Sequence, residues 1–202
     1  MDAKKKSLHA SEQDPVKRAA WRAAMQAHPS EQLVFVDETG ATIRLTRLYA
    51  RAPRGQRAVG RVPRNHGTST TLVTALTPSG LVAPRRHLGA MNTERFLAYV
   101  REDLVPHRRP GQVVVLDNLS AHKVAAVREA IEQAGCTLVY LPSYSPDFAP
   151  IEFAFAKLKA ALRALGARTQ AALEAALDQA VATITPHDAR AYFSHCGYSL
   201  AQ

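Results

Sequence analysis

The sequence predicts an α/β chain built on a mixed five-stranded sheet flanked by helices. Three observations predict it. QVVVLDN and CTLVYLP each carry a short, almost wholly apolar run, as strands buried on both faces must. A segment of helical period lies between them, which makes the pair a parallel strand–helix–strand unit. Ahead of them another apolar run, QLVFVDETG, is followed by TSTTLVTALTPSGLVAPRRHL, a hairpin pattern folded about the turn PSG.

The elements follow in order. Residues 14–27, DPVKRAAWRAAMQA, read as a helix with Asp14 as N-cap and Pro15 at the first helical position. HPSEQ breaks that helix, and the first strand ends in a turn at ETG. Residues 41–68 hold Arg44, Arg47, Arg51, Arg54, Arg57, Arg61 and Arg64 and no acid. Their spacing of three and four is helical, but Pro53, Gly55, Gly60 and Pro63 oppose one continuous helix. A strand-and-loop excursion is expected instead, a hairpin extending from the first strand. After the PSG hairpin, NTERFLAYVREDLVPH is an amphipathic helix with Phe96, Val100 and Leu104 on one stripe. SAHKVAAVREAIEQAG is the connecting helix, with Val124, Val127 and Ile131 inward and Gly135 as its stop. PIEFAFAKLKAALRALG and TQAALEAALDQAVATI are two further helices, and PHDARAYFSHCGY is a short closing segment. This order suits an RNase H-like fold. The expected division is residues 1–30 as tail and linker helix, and 31–202 as the sheet domain with a basic insertion at 41–68.

Lys and Arg total 26 against 17 acids, a formal charge of +9, which favours a polyanionic partner and nucleic acid first. No apolar run approaches the roughly 18 residues of a membrane span, so no membrane role is expected. MDAKKKSLHASEQD has a basic start with no apolar segment behind it, so no secretory leader is expected and the location should be cytoplasmic. Cys136 and Cys196 stand without a second ligand pair nearby, which favours two reduced thiols over a disulfide or a zinc site.

Asp37 closes the first apolar strand and Asp117 closes QVVVLDN. A charge finishing an apolar strand is costly unless solvated, paired or metal-bound, although an aspartate also starts a turn well. Glu152 stands in the first turn of a helix, where an acid also serves as a cap charge. Taken together, three carboxylates at strand ends and a helix start would repel one another unless a divalent cation neutralised them. Oxygen donors of this kind select Mg²⁺ or Mn²⁺ over zinc. Such a site could activate a water or a 3′-hydroxyl and stabilise the leaving oxygen of a phosphodiester. A phosphatase using Asp37 as nucleophile fits less well, because Thr39 stands where that chemistry commonly has a second aspartate.

VFVDETG, VVVLDNLSAHK and LPSYSPDFAPIEFAFAKLK, in that order, resemble the catalytic motifs of bacterial insertion-sequence transposases of the mariner-like DDE superfamily. The 34 residues between Asp117 and Glu152 match the spacing of that branch. RLYARAPRGQR, TSTTLVTAL, FLAYVREDLVPHRRPG and YFSHCGY extend the resemblance over roughly residues 15–198. It implies an RNase H-like catalytic domain in which Asp37 is shared by two Mg²⁺ or Mn²⁺ ions, Asp117 binds one, and Glu152 completes the site. It also implies cleavage at transposon ends, strand transfer of the 3′-hydroxyl into target DNA at a TA step, and a homodimer as the active form. The DNA is double-stranded, and the location nucleoid-associated. Asn118, His122 and Lys123 take supporting roles, with Lys123 as a phosphate contact. Glu38, on the opposite strand face from Asp37, is read as structural. The arginines of 41–68 are read as a clamp on DNA phosphates, with Tyr49 either stacking on a base or anchoring the loop. Arg85, Arg86, Arg108 and Arg109 form smaller basic clusters.

Two positions depart from the family pattern. Ala149 stands where relatives carry an asparagine able to cap the helix of Glu152, and Phe155 replaces a tryptophan. Family members usually begin with helix-turn-helix recognition units, and here only the 14–27 helix precedes the first catalytic strand. The expectation is therefore the downstream product of a split reading frame, working with an upstream DNA-binding product, or a truncated gene. The alternative reading is a catalytically weak or inactive DNA-binding fragment that regulates a full-length partner.

Overall fold

The computed structural model describes residues 10–65, 67–119 and 122–199. Five strands form one sheet: β1 (Leu33–Ala41), β2 (Thr70–Thr77), β3 (Gly80–Leu88), β4 (Val113–Leu116) and β5 (Thr137–Tyr140), in the order β3-β2-β1-β4-β5. β1 and β2, and β2 and β3, run antiparallel, while β1, β4 and β5 are parallel. The sheet is thus mixed and five-stranded, as the apolar runs predict.

Both faces of the central strands are covered, which is why their sequences show no polar alternation. Leu33, Phe35, Val113 and Val115 point into a core shared with α4 (Pro150–Leu165) and α6 (Pro186–His195). Val34, Val36, Val114 and Leu116 point the other way, toward α2 (Thr93–Tyr99) and α3 (Ala125–Gln133). Phe35 meets Phe193 edge-on at 5.6 Å and Tyr198 at 5.2 Å. The closing segment is therefore an ordered helix whose aromatic face completes the core. A third cluster joins β2 to α4 and α5 (Gln170–Ala182) through Leu72, Leu158, Leu162 and Leu177.

Local chemistry sets the helix ends. Asp14 accepts from the Val16 and Lys17 amides to start α1 (Pro15–Gln26). Thr185 and Asp188 form a reciprocal capping box at α6. Gly166 takes the left-handed conformation that ends α4.

Four expectations need correction. The first strand does not end in a turn at ETG: β1 runs on through Glu38, Thr39 and Gly40 to Ala41 because these residues stay paired with β2, so Asp37 sits mid-strand, two residues past the last pairing with β4. The stretch 92–107 is not one α-helix: α2 stops at Tyr99, and Val100–Leu104 widens into a π turn before a 3-10 turn at Val105–His107. Pro106 has no amide to continue an α-helical ladder there. α3 begins at Ala125 rather than Ser120, because the chain after Asp117 turns back on that carboxylate; Ser120 and Ala121 lie outside the described residues. Among the described residues, 42–69 form no hairpin and hold only turns, such as those closing at Leu45 and Gln56. Among the described residues no helix is long and apolar enough to cross a membrane.

Candidate active site

The parallel pairing of β1 with β4 brings two of the carboxylates together. Phe35 pairs with Val115, and two residues further on stand Asp37, still within β1, and Asp117, directly after β4. Both have the parity of Phe35 and Val115, so they leave the sheet on the side of α4. Glu152 is exposed in the first turn of α4, where Pro150 presets the helical φ. Asp37, Glu38, Asp117 and Glu152 line one crevice of about 630 Å³, and Lys159 is the only lysine or arginine among the described residues that line it.

Electrostatics mark this crevice. Burial, then the neighbouring Glu38, Glu152 and Asp117, push the Asp37 carboxyl up to about 7, against the hydrogen bond it accepts from the Glu38 amide. His122 is fully buried behind Asp117 and tilts over Phe96 with ring centroids 4.0 Å apart. Its Nδ1 donates to Asp117 Oδ1, which also accepts from the Leu119 amide. Its Nε2 lies 3.3 Å from Glu38 Oε2, within ion-pair reach but not aligned as a hydrogen bond. Burial alone would lower the imidazole pKa, but the Asp117 bond and then Glu38 outweigh it and raise it to about 9. His122 is therefore a buried cation between two acids at neutral pH.

Asp37, Asp117, Asn118 and Glu152 reach the crevice; Asn118 Nδ2 donates to Ser143 Oγ at 2.9 Å and ties its rim together. His122 acts from beneath it. It sits in a turn after Asp117 rather than at a helix start, as its amide bond to the Leu119 carbonyl shows. Lys123 is exposed outside the crevice. Glu38 does face away from Asp37, but it turns toward His122 and so joins the site from the other face of β1. Lys159 has no counterpart among the residues the sequence singles out; lying seven residues after Glu152, about two helical turns, was the available signal. Arg44, Arg47, Arg51, Arg54, Arg57, Arg61 and Arg64 are all exposed on the 42–69 connection. Arg85 is instead paired with Glu102 and Asp103, and Arg86 with Asp178, which fixes both in internal contacts.

Ala149 occupies the N-cap of α4 in an extended conformation, with no side-chain hydrogen bond to the helix. Ala149→Asn is expected to stabilise the chain by about 1 kcal/mol, as an added cap does. Urea unfolding checks this, and a lower midpoint would mean that the buried site does not admit the larger side chain.

The donor set fits a hard divalent cation: oxygen ligands, an excess of acids, and one carboxyl whose charge is opposed by its neighbours. Among the described residues no three His, Cys, Asp or Glu side chains are already gathered closely enough to hold an ion. The crevice therefore supplies donors of the right chemistry rather than a closed cage.

A mixed sheet with one aspartate inside its first strand and another directly after the parallel neighbour, faced by a helix-borne glutamate, has the architecture of an RNase H-like fold. Residues 32–174 match the model of the DDE superfamily endonucleases, and the chain belongs to that family. No curated protein sequence matches it. Among solved structures it resembles a pre-cleavage Mos1 transpososome at 17% identity and TM-score 0.72, covering 97% of this chain and 64% of that one. The Mos1 strand transfer complex matches at 19% identity and TM-score 0.71, over 97% and 63% of the two chains. The mariner Mos1 paired-end complex with Mg matches at 18% identity and TM-score 0.73, over 100% and 68%. The chain thus spans somewhat less than two thirds of the first of these relatives, and the likeness establishes a shared fold.

Proposed function

We propose that this chain is the catalytic domain of a DNA transposase that cleaves transposon ends and transfers the 3′-hydroxyl into target DNA. The observation that carries the reading is the convergence of Asp37, Asp117 and Glu152 on one acidic crevice of a DDE superfamily endonuclease. The Mos1 relatives were solved as a pre-cleavage transpososome, a paired-end complex and a strand transfer complex, which supports the same reactions here. Asp37 and Asp117, with Glu152, would hold two Mg²⁺ or Mn²⁺ ions. When bound, such ions activate the attacking oxygen and stabilise the leaving one. The chain's own residues do the rest. His122 holds the Asp117 carboxylate in one orientation, the Asn118–Ser143 bond fixes the rim, and Lys159 presents a cation to a phosphate entering the crevice.

The arginines of 42–69 would grip DNA phosphates without reading bases. Active assembly would be a homodimer on double-stranded DNA, and the source a bacterial insertion sequence acting at the nucleoid. End recognition would then come from a helix-turn-helix unit supplied upstream or by a second product.

Joining is the direct test. A duplex oligonucleotide with a free 3′-hydroxyl, incubated with supercoiled plasmid and Mn²⁺, should become covalently attached; nicking without attachment would restrict the activity to an endonuclease. The clamp has its own test. Replacing Arg51, Arg54, Arg57 and Arg61 by glutamine should weaken DNA binding and lower the slope of log affinity against log salt by about 0.9 for each phosphate no longer neutralised. An unchanged slope would exclude these side chains from binding phosphate.

A further inference from the structure

The turn that delivers Glu152 has no cap of its own, yet it is gripped from outside the sheet by α1. Arg18 donates two hydrogen bonds to the Asp147 carboxylate, at 3.1 and 2.7 Å, and its side chain is 16% exposed. That pairing holds the Asp147 carboxyl below the usual range. Trp21 stacks on Phe148 with centroids 5.4 Å apart and planes 8° from parallel. The Arg18 and Arg22 guanidinium carbons lie 4.1 and 4.5 Å from the centre of the same ring. Just ahead of α1, Gln13 Nε2 donates to the Tyr144 carbonyl at 2.7 Å. Tyr144 lines the crevice and has a φ of +56°, a conformation that a non-glycine residue keeps only where its surroundings impose it. Tyr198 holds the turn from another element, its hydroxyl donating to the Phe148 carbonyl at 2.6 Å.

All of these contacts fall on residues 144–148, directly before Pro150 and α4. We propose that Gln13, Arg18 and Trp21 are positioning residues for the reaction: α1 is a strut that fixes the turn 144–148 and, through it, the placement of Glu152 at the crevice. The inference rests on the reading of Glu152 as an essential carboxylate. The strut replaces the missing helix cap at Ala149 with tertiary contacts, and it couples α1 to the chemistry. Anything that draws α1 away from the turn would loosen the third carboxylate without touching the crevice.

Amide exchange and nicking kinetics together test this. The amides of Phe148, Ala149 and Glu152 donate to the Ser145, Pro146 and Ala149 carbonyls and report on the turn directly. In Arg18→Ala they should exchange on the order of tenfold faster, while β1 and β4 amides keep their wild-type rates. Asp147→Ala should act in the same direction, and the double variant should add little to Arg18→Ala, because Arg18→Ala already removes the pairing with Asp147. Trp21 is the only tryptophan, so its emission should shift to the red as the stack on Phe148 loosens. The Mn²⁺ concentration for half-maximal nicking should rise on the order of tenfold, with the rate at saturating Mn²⁺ close to wild type. Arg18→Lys should recover only part of this, since an ammonium cannot pair in bidentate fashion. Lys17→Ala, on the exposed side of α1, should change nothing. Unchanged exchange at the three amides, or equal acceleration throughout the sheet, would overturn the strut. A looser turn with unaltered Mn²⁺ dependence would overturn its role in positioning. If the wild type fails to nick at all, the catalytic reading falls, while the exchange comparison still decides whether α1 holds the turn.

Discussion

Asp37→Asn is expected to lower metal-dependent DNA nicking by about 10³-fold or more and, in the same molecule, to stabilise the metal-free chain. The first effect would follow from losing a charged oxygen donor of the proposed metal site, about 4 kcal/mol of transition-state stabilisation. The second follows from the environment of the carboxyl, which burial and three neighbouring acids raise to about 7. Unfolded, the same group titrates near 4. Between those values the folded chain holds a proton that the unfolded chain has lost, so stability of the metal-free wild type falls as pH rises from about 4 to about 7. The asparagine variant lacks that proton linkage. Its melting temperature in EDTA should exceed wild type at pH 7 by about 2–4 °C for each kcal/mol relieved, with the gap closing toward pH 4. Parallel melting curves across that range would show that Asp37 carries no such strain. Saturating Mg²⁺ should reverse the ranking, because only the wild type gains from binding.

His122→Ala should produce the second large effect, this time on folding. The imidazolium is fully buried between Asp117 and Glu38, whose side chains are 32% and 17% exposed. Removing it leaves two partly buried acids without their cation and empties the space over Phe96, a loss of about 3 kcal/mol. The sign of the pH dependence is fixed by the raised pKa of about 9. The stabilisation is complete below the unfolded imidazole value, near 6.5, and is lost as pH rises through about 9. Urea unfolding at pH 6 and again above pH 9 should therefore show a smaller difference from wild type at the higher pH. His122→Phe keeps a ring against Phe96 without the charge. It should recover packing but not the orientation of Asp117, so it should fold better than the alanine variant and still nick poorly. Equal destabilisation at both pH values would reduce His122 to a packing residue.

The strands were legible because β1, β4 and β5 are covered on both faces, so their apolar runs had few other uses. The same burial made Asp37 and Asp117 conspicuous, as charges following apolar runs, although β1 itself continues past Asp37 to Ala41. Alternation along β1 also assigned Glu38 to the opposite face, but it could not reveal that His122 waits there. That histidine contacts Asp117 and Glu38 from a stretch in which the Asp117 carboxylate captures the Leu119 amide and α3 begins only at Ala125. In 42–69, proline and glycine were enough to reject a helix but not to exclude a hairpin; among the described residues there the chain forms only turns. Lys159 shares the crevice with Glu152 by helical geometry alone and carries no local signal of its own. The contacts of Arg18 and Trp21 with Asp147 and Phe148 join segments more than a hundred residues apart, and no local pattern announces such pairs.

The most direct test of the central claim is nicking of supercoiled DNA by the purified chain with Mg²⁺ or Mn²⁺, beside Asp37→Asn, Asp117→Asn and Glu152→Gln and with an EDTA control. The convergence of the three carboxylates predicts nicking by the wild type that EDTA abolishes and each substitution removes. Nicking that survives EDTA, or that all three variants retain, would contradict it.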